Sequence, residues 1–73
     1  MFIRKIAIGS DYKHAMHYIV GQEVLNGQYV IHLIDHKADS DSYVIYIEKD
    51  DEVFLWKEFT GSVPIFIEYN INL

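Results

Sequence analysis

The sequence predicts a β-dominated α+β fold over a single domain, residues 1–73, with five to six strands in a mostly antiparallel curled sheet or small barrel. One short helix is expected after the first strand. Three observations carry this reading. The C-terminal run "VPIFIEYNINL" places Val63, Ile65, Ile67, Tyr69, Ile71 and Leu73 in strict alternation with Pro64, Phe66, Glu68, Asn70 and Asn72, the period of a half-buried strand. Two β-rich runs, residues 42–48 and 53–59, flank the charged tip Lys49-Asp50-Asp51-Glu52, the composition of a hairpin. A third signal is Asn26-Gly27 between "EVL" and "QYVIHLI", because that pair supplies the positive φ values of a type I′ turn.

The elements follow in order. "FIRKIAIG" is a short strand ending at Gly9. In "GSDYKHAMHY", Ser10 or Asp11 can cap a helix by accepting backbone N–H bonds. Tyr12, Ala15, Met16 and Ile19 then fall at i, i+3, i+4 and i+7, one apolar stripe, and Gly21 is placed to end the helix. The expected helix covers about residues 11–17, with Lys13, His14 and His17 on its solvent face. The competing reading is a turn or two of helix with "HYIVGQEVL" already extended, since Tyr, Ile and Val prefer sheet. The Asn-Gly hairpin follows, then the loop "DHKADSDS", then the second hairpin. Thr60-Gly61-Ser62 turns the chain into the last strand, where Pro64 marks a strand start or an edge.

Composition limits the function classes. An apolar fraction of 51% with 15% aromatics is high for a 73-residue chain, whose thin interior has little room for large side chains. A partner or self-association is the expected cover, so a homo-oligomer is anticipated. The chain has no cysteine, which removes disulfides and thiolate metal sites. No segment approaches the ~20 apolar residues of a membrane span, and no signal-peptide core is read at the N-terminus, so a cytoplasmic setting is expected.

The net charge of −5 is unevenly spread. Residues 1–22 hold Arg4, Lys5 and Lys13 against Asp11, whereas residues 23–73 hold three lysines against ten acids. Polymeric nucleic acid, which needs a basic surface, is not an expected partner. An anion site belongs near the N-terminal segment, and an acidic face elsewhere suits a basic protein.

Catalysis and metal binding are not expected, and no cofactor is implied. His14 and His17, like His32 and His36 around Asp35, have two-histidine spacing without a third ligand. His32 sits among apolar strand neighbours and reads as a structural histidine. "KADSDS" lacks the glycine and bidentate glutamate of a calcium loop. Ser10 with His14 is an i, i+4 pair, but a capping serine spends its oxygen on the backbone. Asp50, Asp51 and Glu52 sit on an exposed tip where nothing raises a carboxyl pKa.

Two binding ideas survive. A nucleotide-type ligand near the N-terminal segment would use Lys5, Ser10, Tyr12, Lys13, His14 and His17, with Trp56 as a further ring to stack on a base. A protein target would meet an open sheet edge or the apolar run "VFLWKEF", with Phe54, Leu55, Trp56 and Phe59. The stretches "KIAIGSDYKHAMHYIVGQ" and "LWKEFTGSVPIFIEYNINL" resemble the short accessory proteins of T-even-type bacteriophages. That resemblance implies a non-enzymatic host-takeover or counter-defence protein in the host cytoplasm, acting by sequestering a nucleotide-type immune signal in an oligomeric pocket. The alternative is an inhibitor that occludes a host protein. The resemblance carries no site residues with it.

Overall fold

The computed structural model describes residues 2–61 and 65–70. Seven strands form in chain order: β1 (Phe2–Ile8), β2 (Met16–Ile19), β3 (Glu23–Val24), β4 (Tyr29–Lys37), β5 (Ser42–Lys49), β6 (Glu52–Thr60) and β7 (Ile65–Asn70). They make a three-stranded sheet, β2-β1-β7, and a four-stranded sheet, β3-β4-β5-β6, antiparallel throughout. The sheets are stitched at one corner. The Val20 amide donates to the Arg4 carbonyl at 2.9 Å, while Gly21 N donates to Ile31 O and Ile31 N donates to Gln22 O, both at 2.9 Å. One stretch of chain therefore leaves β1 and joins β4, which gives the curled, β-dominated architecture. Among the described residues no pairing closes β6 onto β7.

The expected helix over residues 11–17 does not form. Only a single 3₁₀ turn, Tyr12–His14, is present, and the chain is already extended at Met16. The competing reading of "HYIVGQEVL" is the one the fold adopts, and the strand count rises to seven. The physical reason is that β1 offers the segment a hydrogen-bonding edge, with Ile6 opposite Tyr18 and Ala7 opposite His17. A helix of seven residues is too short to outweigh that pairing, since isolated helices below about 12 residues are marginal. The stripe of Tyr12, Ala15, Met16 and Ile19 accordingly breaks up, with Met16 63% exposed.

Both hairpins are present. Asn26 and Gly27 have φ of 61° and 78°, and Gln28 N donates to Leu25 O at 3.1 Å, as a type I′ turn requires. Asp50 and Asp51, at φ 53° and 66°, join β5 to β6 between the facing pair Lys49 and Glu52. Strand β7 pairs with β1, Ile6 opposite Ile67 and Ile8 opposite Ile65. Ile65 and Ile67 pack on the core while Phe66 faces away and is exposed. Ser62, Val63, Pro64, Ile71, Asn72 and Leu73 lie outside the described residues, and with them the expected role of Pro64.

The core lies between the sheets: Ile3 and Ile6 of β1, Tyr18 of β2, Ile31 and Ile34 of β4, Ile45 and Ile47 of β5. Two of these pairs sit three residues apart, a spacing foreign to a flat strand. Register shifts explain it. Between Ile3 and Lys5, and between Ile31 and Leu33, each strand carries one residue more than its partner, so Arg4 and His32 are bulge residues and the alternation changes phase across them. A third shift leaves Trp56 as the extra residue of β6, because Ile45 faces Lys57 while Tyr46 faces Leu55. Bulges bend strands and increase twist, which suits a sheet that must wrap a small core.

Candidate functional site

Two regions present chemistry outside the core. The first is the outward face of β2-β1-β7. Asp11 caps the 3₁₀ turn, its Oδ1 accepting from His14 N at 3.1 Å, and the His14 ring lies 3.1 Å from the same carboxylate. The turn folds Tyr12 back over the sheet. Its hydroxyl accepts from Lys5 Nζ at 2.7 Å, and its ring meets His17 and Phe66 edge-on at 5.0 and 5.7 Å. His17 Nε2 lies 3.2 Å from the Tyr12 carbonyl, which assigns the Nε2–H tautomer and leaves Nδ1 buried without a partner among the described residues. A shallow cavity of about 240 Å³ opens beside Lys5, Tyr12, Phe66 and Glu68.

Of the residues expected to bind a nucleotide-type ligand, this face gathers Lys5, Tyr12 and His17. Ser10, Lys13 and His14 are exposed around the turn. Trp56 is elsewhere: as a bulge residue it points into the interior, edge-on to Tyr18 at 5.8 Å, with the Lys57 ammonium 4.8 Å over its ring. Phe66 is the member that sequence reasoning missed; the alternation of β7 placed it on the wetter face, without saying that Tyr12 would meet it there. Two of the local cations are engaged within the protein. Lys5 bonds Tyr12, and Arg4 Nη1 pairs with Glu68 at 2.6 Å. A three-residue turn also lacks the macrodipole that an α-helix brings to an anion.

The second region is the outward face of β3-β4-β5-β6. Register defines it in rows across the strands: Val30, Glu48 and Val53; Leu33, Tyr46 and Leu55; Asp35, Val44 and Glu58; Lys37, Ser42 and Thr60. Val30, Leu33, Val53 and Leu55 are 38–58% exposed, whereas Val44 at the centre is 1% exposed. Glu48 lies between Val30 and Val53, and Asp35 and Glu58 flank Val44 one row beyond Leu33 and Leu55. Glu58 Oε2 accepts from the buried Ser42 hydroxyl at 2.8 Å, and His32 stands 3.6 Å from Glu48. His32 is therefore a half-exposed bulge residue rather than a packed structural histidine. Residues 23–61 carry nine carboxylates against Lys37, Lys49 and Lys57, a balance of −6.

At the far end of β4 the His36 ring stacks on Tyr43, 4.5 Å between centroids and 19° between planes, with Nε2 3.4 Å from Asp41 Oδ1. His32 and His36 thus have separate carboxylate neighbours. Among the described residues no three metal-ligating side chains converge, and no helix is long and apolar enough to cross a membrane. Burial, reinforced by the neighbouring Tyr69 and Asp41, raises the Tyr43 phenol above its ordinary 10.0, and burial alone raises Tyr18. Unfolding returns each phenol to 10.0, so the fold holds this contribution fully below that value and loses it as the pH climbs through the higher folded-state value. An ultraviolet titration is expected to show the Tyr18 and Tyr43 phenols ionising above their ordinary 10.0; ionisation of both at that value would contradict it.

No protein family, curated protein or solved structure matches the chain.

Proposed function

We propose that the chain is a non-catalytic inhibitor-type binding protein that covers a basic surface of another protein with the outward face of β3-β4-β5-β6. The observation that carries this reading is an exposed apolar patch that carries carboxylates: Val30, Leu33, Val53 and Leu55, with Glu48 between the two valines and Asp35 and Glu58 one row beyond the two leucines. A contiguous exposed apolar patch marks an interaction surface. The sign of its charges selects a partner carrying lysines and arginines beside apolar side chains, and steers the encounter. Such a role is in keeping with the resemblance to host-takeover proteins of T-even-type phages, with a host cytoplasmic protein as the target.

Self-association, expected from the apolar surplus, competes for the same patch. Placing two such faces together sets Asp35, Glu48 and Glu58 of one copy against the same carboxylates of the other, with Lys37 the cation in these rows, within a Debye length of about 8 Å at physiological salt. Like charge favours a foreign partner at this face. A second reading keeps one specific observation, the Lys5, Tyr12, His17 and Phe66 cluster. There a nucleotide-type signal would displace the Lys5–Tyr12 bond and be held for sequestration.

One paired experiment separates them. Wild type and Leu55→Lys are used to capture bacterial cytosolic protein, alongside light scattering and a thermal-shift series with cyclic dinucleotides and ADP-ribose derivatives. The expected result is one stoichiometric partner recovered by wild type and lost with Leu55→Lys, the two having equal stability within about 0.5 kcal/mol because Leu55 is 58% exposed. A mass above 8.6 kDa that Leu55→Lys dissociates would assign the face to a second copy. A nucleotide shift that Lys5→Ala removes would transfer the function to the Tyr12 cluster.

A further inference from the structure

Beyond Ile31, β4 has no strand partner on its β3 side among the described residues, because β3 pairs only at Val30 and Tyr29 and the next bonds come from Gly21 and Gln22 to Ile31. The start of β1 and the end of β7 stand across from this free edge. Between them lies a cavity of about 240 Å³. Its floor is apolar and closed, with Ile3 5% and Ile34 2% exposed. Phe2, Tyr69 and Leu33, all well exposed, line it, together with Asp35 and His36.

We propose that this cavity receives the side chain of an arginine from the partner protein, a specification that rests on the protein-binding reading above. Size makes the first selection. Sites for drug-sized molecules run to about 300–1,000 Å³, so the space here suits one large side chain, the form in which interface anchors enter pockets. Charge makes the second. Asp35 Oδ1 accepts from His36 N at 2.9 Å, and its other oxygen has no protein partner among the described residues. Residues 23–61, the segment that forms this sheet and its loops, carry the balance of −6.

Shape makes the third selection. Ring faces attract a cation, and a flat guanidinium both stacks on them and gives parallel N–H bonds to a carboxylate, which an ammonium does not. The His36 wall is held in place by its stacking on Tyr43 and its approach to Asp41. Leu33 and Asp35 also belong to the outward face proposed to meet the partner, so an arginine at the margin of a basic partner reaches the cavity without leaving that interface.

The test uses N-acetyl-arginine amide and its neutral isostere N-acetyl-citrulline amide, titrated into the whole protein and followed by amide NMR. The expected result is a saturable shift at Phe2, Leu33, Asp35 and Tyr69 with a dissociation constant on the order of millimolar. Citrulline, or Asp35→Asn with arginine, should bind roughly three- to ten-fold more weakly. Absence of a saturable shift at these residues, or equal binding of arginine and citrulline, overturns the proposal whatever Asp35→Asn does. No partner protein enters this titration. Its failure therefore leaves the sheet-face reading standing, whereas loss of partner capture with arginine binding intact would count against that reading alone.

Discussion

Ile45→Ala is expected to be among the most destabilising single substitutions in the chain. Ile45 is 0% exposed and lies in the cluster that joins the two sheets. Removing a buried isoleucine down to alanine costs about 2–5 kcal/mol, because the lost transfer energy is joined by the cost of a cavity that the surroundings fill only in part. A domain of this length has a total stability of roughly 4–11 kcal/mol at 0.05–0.15 kcal/mol per residue. The substitution therefore removes from a fifth of the stability to all of it. Neighbours cannot collapse cheaply into the gap, since Ile6, Ile31 and Ile34 around it are strand residues pinned by backbone pairing on both sheets. Urea unfolding followed by circular dichroism measures the effect. Leu33→Ala is the comparison: at 39% exposed it should cost well under half as much. Equal midpoints for wild type and Ile45→Ala would mean that the core is not where the structure puts it.

The same core shows what the sequence makes legible and what it hides. Period two in β7, the Asn26-Gly27 turn and the acidic tip at Asp50-Asp51 are local signals. Each specifies its element without reference to the rest of the chain, and each is found among the described residues, except that Tyr69, on the expected buried face of β7, is 49% exposed. The bulges are not local. Ile3 with Ile6, and Ile31 with Ile34, show a three-residue spacing that reads as helical in isolation; it becomes strand spacing only because Arg4 and His32 are extra residues against a particular partner. The helix expected over residues 11–17 failed for a related reason. Its apolar stripe was real as a pattern, but the edge of β1 was a stronger claim on the same backbone.

The candidate site divides along the same line. Lys5, Tyr12 and His17 come together because Ala7 pairs with His17 and the capped turn folds back over that pair. Trp56 leaves the group because a bulge turns it inward. The outward face of the larger sheet was visible in outline as an acidic, aromatic half of the chain. Its rows required the register of β4, β5 and β6, which no single strand reveals. Sequence reading named Phe54, Leu55, Trp56 and Phe59 as a surplus; the register divides them, with Leu55 outward and Phe59 against Tyr18 in the core.

Gly9→Ala is expected to be damaging, and the damage should concentrate at Tyr12. A Cβ at Gly9 would stand 2.9 Å from the Ala15 Cα and 3.2 Å from its Cβ. Gly9 is needed here for close passage of two chain segments, since its backbone is not in the left-handed region. The neighbour that must yield is main chain, so a side-chain rotation does not relieve it, and overpacking of this kind costs about 1–3 kcal/mol. The segment between Gly9 and Met16 has no strand pairing of its own and is the part free to move outward. Moving it lifts Tyr12 from Lys5, His17 and Phe66 and loosens the bond from His14 N to Asp11. The expected readouts are a lower urea midpoint and faster hydrogen exchange at the His14 amide, with the amides of β5 slowed or sped only by the global change. Adding Ala15→Gly should restore stability only in part, because it removes the 3.2 Å contact and leaves the 2.9 Å contact with Cα in place. Full rescue by that second change, or a Gly9→Ala protein that keeps wild-type exchange at His14, would show that the turn does not depend on the close passage at Gly9.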